Sequence, residues 1–396
     1  MDPVENPFAP GAGTRPPQLA GRDDLLAEAR IALARISRGR HARSMILIGL
    51  RGVGKTVLLD RMRREAEADG LLAIRMEAPE GRSLPSMLAP RMREVLIRLS
   101  KVEKARELAK RAQRGLAGFV RAFKLQYEDI QVSLDFDPEP GLADNGDLEG
   151  DLSALFEAVG QAAQAAGQAV IILIDELQYV EEPQLAALIT ALHRCSQDQL
   201  PIVLVGAGLP QLPGQLGRAK SYAERLFTFP RVGPLDEESA FAAIRIPVEE
   251  RGGRIEESAL AEIFARTEGY PYFLQEWGKH AWDQAAESPI RLEDVREASD
   301  SALAALDSSF FQVRLERLTG AEKQYLRAMA ELGAGPHRSG EVAGVLNRKQ
   351  ESLGPARARL IHKGMAWSPQ HGEIAFTVPH FDRFMKRVIP KLEDMA

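Results

Sequence analysis

The eight residues Gly49-Leu50-Arg51-Gly52-Val53-Gly54-Lys55-Thr56 constrain the fold more than any other part of the chain. They spell G-x-x-x-x-G-K-T, a spacing that works as a loop between a buried strand and the first turn of a helix. The glycines let the backbone curl until its N–H groups converge on one anion. The flanks comply. Ser44 to Ile48 is short and apolar, as a strand covered on both faces must be, and Thr56 to Glu67 has helical spacing. Such a strand feeding a helix implies a parallel sheet with helices on each side. In this loop Gly49, Arg51, Gly52, Val53 and Gly54 are expected to enclose phosphates, Lys55 to reach the β and γ phosphates, and Thr56 to offer its hydroxyl to Mg²⁺.

The same alternation continues on either side. Arg22 to Arg38 carries Leu25, Leu26, Ala29, Leu33 and Ile36 at helical spacing behind Asp23 and Asp24. Leu71 to Met76 predicts a strand, Leu84 to Leu99 a helix, Asp151 to Ala166 and Pro183 to Cys195 further helices. Ala169 to Ile174, Pro201 to Val205 and Phe227 to Val232 predict the remaining strands. The expected fold class is α/β, a P-loop doubly wound parallel sheet. With 45% hydrophobic and 27% charged residues the chain can bury a sizeable core, which excludes disordered, collagenous and mucin-like chains. Its net charge of -5 means that any nucleic-acid surface has to be local. The lone Cys195 cannot form an internal disulfide, Met1-Asp2-Pro3-Val4 lacks the character of a leader peptide, and no apolar run approaches the roughly 18 residues of a membrane helix. A cytoplasmic location without a membrane partner is expected.

Hydrolysis requires carboxylates at the end of a neighbouring strand, and Ala169 to Ile174 delivers Asp175 and Glu176 roughly 120 residues after the loop. Asp175 is expected to hold Mg²⁺ together with Thr56, and Glu176 to orient and deprotonate the water that attacks the γ phosphate.

In these motifs and their order the chain resembles AAA+ ATPases of the origin-recognition and archaeal-ATPase branch. The residues that carry the resemblance are Gly21-Arg22, the loop at 49–56, Asp175-Glu176-Leu177-Gln178, Pro201 to Val205, Ala223-Glu224-Arg225-Leu226-Phe227 and Thr267-Glu268-Gly269-Tyr270-Pro271-Tyr272. The resemblance implies ATP and Mg²⁺ as cofactors, Gly21 and Arg22 beside the adenine, and Pro234 with Leu235 closing over it from a helical lid. It also implies a C-terminal winged helix and assembly linked to nucleotide. Two positions depart from the family pattern. Gly206, Ala207 and Gly208 replace the polar sensor after the fourth strand, and Tyr272 stands where the lid offers an arginine, so intrinsic hydrolysis is expected to be slow. Arg225 is the best remaining choice for an arginine that completes a site, in a neighbouring subunit, with Arg218 and Arg194 as competitors.

The domains expected are a Pro- and Gly-rich flexible tail at 1–20, an ATPase core at 21–233, a helical lid at 234–307 and a winged helix-turn-helix at 308–396. Within the core, a charged insertion at about 101–151 pairs a basic helical stretch, Lys101 to Lys124, with an acidic loop, Asp135 to Asp151, whose spacing does not match a calcium-binding loop. The lid is predicted as helices Asp236 to Ile246, Glu256 to Arg266, Tyr272 to Glu287 and Leu292 to Leu306, with Trp277, Trp282, Tyr270, Tyr272 and Phe273 as its core. In the last unit, helices at Thr319 to Leu332, Ser339 to Leu346 and Glu351 to Lys363 precede a hairpin at Met365 to Val378. From Arg314 onward fourteen basic residues oppose nine acidic ones, and Arg348, Lys349, Arg357, Arg359, His362 and Lys363 would face duplex DNA in a groove-reading version. Gly354-Pro355 within that helix is unusual for a groove reader, and His337, His362, His371 and His380 lack metal-ligand spacing. Three readings follow: a DNA-associated ATP-hydrolysing switch, a signalling or defence switch that docks protein, and a binding module that hardly hydrolyses. A homo-oligomer or a protein partner is compatible with each.

Overall fold

The computed structural model describes residues 1–11, 13–125 and 137–392. All five residues of β1 (Ser44–Ile48) are buried, as are those of β3 (Val170–Asp175) and β4 (Ile202–Gly208), because helices cover both faces of the sheet. With β2 (Leu72–Glu77) and β5 (Phe227–Thr228) they form one sheet in the order β2-β3-β4-β1-β5, every pairing parallel. Alternate residues divide between the faces. Met45, Leu47, Ile171, Leu173, Val203 and Val205 pack with helices Asp23–Ser37 and Lys55–Ala68. Ile46, Ile48, Ile172, Ile174 and Leu204 pack with Leu84–Ser100, Leu148–Ala166 and Glu182–Gln197. The fifth strand is shorter than predicted, since after Thr228 only Arg231 bridges back to Ile48.

The basic stretch is helical, as expected, and it is packed: helix Arg106–Ala122 buries Ala109, Ala112, Leu116 and Phe119 in the sheet-side core and turns its arginines outward. Leu142 packs over Gly115, where a Cβ would meet it at 3.0 Å, and Glu139 accepts from Arg111 at 3.0 Å and Arg114 at 3.2 Å. The part of the acidic loop before residue 137 lies outside the described residues. The described residues of the segment at 1–20, expected as a flexible tail, hold one 3-10 turn, Pro3–Glu5, and dock on the lid. Phe8 is buried against Gly278, the Trp282 indole donates to the Asp2 carbonyl at 2.8 Å, and the Met1 amino group donates to the Ala285 carbonyl.

The lid consists of helices Glu237–Glu250, Glu257–Thr267, Pro271–Gln284 and Leu292–Leu306. The last of these runs without a break through a π-helical turn, Asp307–Gln312, into Val313–Glu316. Beyond it come helices Gly320–Leu332, Ser339–Val345 and Gln350–His362, β6 (His337–Arg338), β7 (Ala366–Trp367), β8 (Glu373–Phe376) and a helix not expected from the sequence, Phe381–Val388. The three short strands form an antiparallel sheet in the order β6-β8-β7. Phe273 of the lid, Phe310 and Phe311 of the π turn, and Phe381 and Phe384 of the last helix share one core, so no clean boundary separates lid from C-terminal unit at 308. Among the described residues no helix is long and apolar enough to cross a membrane.

Because Phe8 fills a lid site rather than solvent, Phe8→Ala is expected to lower stability by about 3 kcal/mol. Urea unfolding followed by tryptophan fluorescence checks this, and a loss below about 0.5 kcal/mol, the surface-substitution range, would mean that the segment is not docked in solution.

Candidate active site

The phosphate loop, Glu77, Asp175 and Gly208 meet at the carboxyl ends of the parallel strands, where this topology places its ligand crevices. A cavity of about 460 Å³ opens there. Its floor is Arg51 to Leu58, one wall is Glu77, Asp175 and Glu176, and the roof is shared by the N-terminal segment and the lid. Gly52 at φ 79° and Gly54 at φ 93° supply the left-handed turns that aim the loop's N–H groups inward. Gly49 is fixed by space instead, because a Cβ there would lie 2.1 Å from the Val232 carbonyl oxygen.

Lys55 is buried and its ammonium donates to the carbonyls of Gly49 at 2.9 Å and Leu50 at 2.8 Å. Burial drives its pKa down to about 8, against the pull of Glu176 and Asp175 and with the help of Arg51. The Thr56 hydroxyl donates to Asp175 Oδ2 at 2.6 Å. Asp175 is raised by burial and by Glu176, and Glu77 beside it is raised by burial and by both of those carboxylates. The described residues hold no cluster of three His, Cys, Asp or Glu able to bind an ion unaided. A hydroxyl and a carboxylate in contact at the phosphate loop nevertheless fit Mg²⁺, whose remaining ligands are phosphate oxygens and water. Glu176 sits at φ 53°, ψ 37°, which swings its carboxylate back over the loop, 3.8 Å from Arg51 and within reach of the Gln178 amide that donates to it.

Residues 18–205 match the AAA ATPase domain family, and residues 308–385 match a domain of unknown function, DUF8462. Residues 18–205 form an AAA ATPase domain. Among solved structures the chain is similar to the Walker-type ATPase PABY2304 of Pyrococcus abyssi, at 16% identity, covering 94% of this chain and 97% of that one with a TM-score of 0.56. It is also similar to the Thermotoga maritima RuvB Holliday junction branch migration motor, at 16% identity over 92% and 96% with a TM-score of 0.46. The Aeropyrum pernix ORC1 protein in complex with DNA matches at 16% identity over 96% and 95%, with a TM-score of 0.44. No curated protein matches the sequence.

The ATPase domain brings most of the expected residues together. Arg22 lines the cavity and donates to the Val53 carbonyl at 3.4 Å, and Gly21 packs where a Cβ would lie 2.6 Å from the Ser239 hydroxyl. Leu235 is on the cavity wall, but Pro234 is exposed and off it. Arg225 is exposed on the short helix Ala223–Leu226 and lies outside its own subunit's cavity. Arg194 pairs with Glu157 at 2.9 Å and Arg218 with Glu182 at 3.7 Å. The absence of a polar sensor on β4 has a packing cause. A Cβ on Gly206 would meet Leu177 at 2.2 Å, and one on Gly208 would meet Gln178 Oε1 at 2.9 Å.

The fourteen C-terminal cations are only partly available to a ligand. Arg357 donates to the Ser339 and Ser368 hydroxyls and the Glu373 carbonyl, and Arg359 and Lys363 both pair at 2.9 Å with the fully buried Glu322. Arg359 keeps half of its side chain exposed beside that pair, and Arg348 and Lys349 are exposed. Three cavity features were missed from sequence. Glu77 was detectable by the same strand-end logic as Asp175. The wall formed by residues 9–11, Gly13, Thr14, Pro16 and Gln18 to Ala20 was hidden in a segment without periodicity, and Arg314 belongs to no spacing motif.

Lys55 gives a pH signature. A triphosphate favours the charged ammonium, so binding at pH 8.5, above the free-protein value of about 8, is expected to take up protons. Titration calorimetry in buffers of different ionisation enthalpy reads this directly, and Lys55→Met should bind far more weakly without the uptake.

Proposed function

We propose that the protein is a Mg²⁺-dependent ATP-hydrolysing switch in which the nucleotide sets the position of the C-terminal unit. The observation that carries this reading is Arg51. It lies inside the phosphate loop, yet its N–H donates to the Thr377 carbonyl at 3.1 Å and its guanidinium donates to the Gly364 carbonyl at 3.3 Å and the Tyr179 hydroxyl at 2.7 Å. Gly364 is at φ 63°, and a Cβ there would meet Arg51 Nη2 at 2.9 Å. A shift in the loop on phosphate binding therefore reaches the C-terminal unit through backbone contacts, without an intervening domain.

In hydrolysis the loop's N–H groups and Lys55 bind and orient the phosphates, which is where charge builds in phosphoryl transfer. Mg²⁺, when bound, supplies charge neutralisation at the β and γ oxygens. Thr56 and Asp175 are the residues to hold it. Glu176 positions the attacking water and accepts its proton, after release from Arg51 and Gln178. With no polar sensor on β4 and Tyr272 in place of the lid arginine, turnover is expected to be slow until a partner acts.

We read Gly320–Leu332, Ser339–Val345, Gln350–His362 and the β6-β8-β7 sheet as a winged helix-turn-helix. Contact with duplex DNA would rest on Arg348 and Lys349, at the exposed start of the third helix. The internal bonds of Arg357, Arg359 and Lys363 favour the second reading, a protein partner for the same surface.

Glu176→Gln is expected to bind ATP and to lose about 10²-fold or more in turnover, as removal of a general base does. Single-turnover hydrolysis tests this, and normal turnover would reject the assignment. Steady-state hydrolysis with and without duplex DNA separates the two outputs. Stimulation that fades with salt and disappears in Arg348→Ala/Lys349→Ala supports DNA. Hydrolysis indifferent to DNA supports the protein partner.

A further inference from the structure

One charged group in the cavity belongs neither to the ATPase domain nor to the lid's sequence motifs. Arg314 sits on Val313–Glu316, the helical turn that links the lid to the C-terminal unit, and its side chain lines the same cavity as Arg51, Lys55, Thr56, Asp175 and Glu176. Its guanidinium lies 4.2 Å from the centre of the Phe310 ring and donates to the Phe310 carbonyl. Among the described residues it makes no ion pair. Burial and the nearby Arg51 lower its pKa to about 10, with Tyr272 and Glu176 pulling the other way. Arg22, Arg51, Lys55 and Arg314 thus converge on one space whose geometry leaves Arg314 without a carboxylate partner, an arrangement that favours a polyanion.

The support beneath it is built. Phe310 stacks on Tyr272 with ring centres 4.8 Å apart and planes at 27°. Both touch the loop itself, since a Cβ on Gly52 would lie 3.4 Å from each, and the Tyr272 N–H donates to the Gly52 carbonyl at 3.2 Å. The π-helical turn Asp307–Gln312 places Phe310 beneath the arginine and carries the extra residue that re-aims a helix face, a device frequent at functional sites. Tyr272, standing where a lid arginine was expected, serves as the platform for the cation rather than as the cation.

We propose that Arg314 contacts the terminal phosphate of ATP, so that the triphosphate, and not the diphosphate, ties the lid-to-C-terminal connection to the phosphate loop. This rests on the reading of the cavity as an ATP site. Arg314 is the most direct route from phosphate to output, because four residues before it lies the aromatic core shared by lid and C-terminal unit and six residues after it begins helix Gly320–Leu332.

The test uses the full chain with Mg²⁺, fluorescent AMP-PNP and fluorescent ADP, and Arg314→Met, whose side chain keeps the packing over Phe310 without the charge. AMP-PNP binding is expected to weaken about tenfold or more and ADP binding to change little, as loss of one charge-assisted phosphate contact requires. Arg314→Lys should recover part of the AMP-PNP affinity. In a second readout, AMP-PNP slows amide exchange across residues 307–320 in the wild type but not in Arg314→Met. Equal weakening of both nucleotides, or no change in either, overturns the proposal. Lys55→Ala is the separate control. If it keeps both nucleotides, the ATP-site reading fails and the proposal with it. If it loses both while Arg314→Met does not discriminate between them, the site stands and only the role of Arg314 falls.

Discussion

The buried ammonium of Lys55 is the constraint around which the strand ends are arranged. A positive charge removed from water is costly unless anionic or carbonyl oxygens surround it. Here the carbonyls of Gly49 and Leu50 hold it, with Asp175 and Glu176 contributing field rather than contact. The two carbonyls can converge only because the loop turns sharply, and the loop can turn only because Gly52 and Gly54 adopt left-handed conformations. The curl that satisfies the lysine also gathers the N–H groups that bind phosphate. The loop is thereby pre-organised for an anion, and a ligand need not meet the cost of shaping it.

How far the sequence revealed this depends on the period of the burial. Strands covered on both faces appear as short apolar runs, so β1 and β3 are legible within one residue and the start of β4 likewise, and with them the loop and Asp175-Glu176. Strand β4 runs three residues beyond Val205 through Gly206, Ala207 and Gly208, which carry little hydrophobic signal. Helix Arg106–Ala122 is legible as a basic helical stretch but its packing is not, because Ala109, Ala112, Gly115 and Gly118 on its buried face are small residues that add little hydrophobic signal beside five basic side chains and leave Leu116 and Phe119 to carry it. Small residues there allow close approach by Leu142 and Leu148–Ala166, a tertiary fact with no local signature. The N-terminal segment failed for a related reason. Prolines and glycines disfavour a long regular element but not docking, and Phe8 together with the contacts of Met1 and Asp2 anchors the segment without any periodic signal.

Charge counting misled where the charges were internal. Glu322 caps helix Gly320–Leu332 through the Thr319 N–H at 2.8 Å, and it is fully buried. Burial alone would raise its pKa, but Lys363, the Thr319 N–H and Arg359 bring it down to about 2. One buried carboxylate therefore occupies two of the cations that make the C-terminal unit net positive, and Arg357 is spent on hydroxyls and a carbonyl. An excess of basic residues read from sequence measures the capacity to attract nucleic acid only after such internal claims are subtracted.

Arg51 and Arg314 cross between the ATPase domain and the C-terminal unit in opposite directions. Arg51 leaves the phosphate loop to bond Thr377 and Gly364, whereas Arg314 leaves the C-terminal connection to face the loop. With only protein groups in the cavity, the two cations oppose one another, and each lies within the field of Glu176. A triphosphate between them reverses the sign of that interaction, because both cations then share an anion. Coupling of this kind is reciprocal. Whatever free energy the terminal phosphate contributes to holding the C-terminal unit, a partner that holds the unit in the same position contributes to binding the phosphate. A site without a polar sensor on β4 can in this way still be responsive, with the sensitivity moved from the end of a strand to the joint between two units.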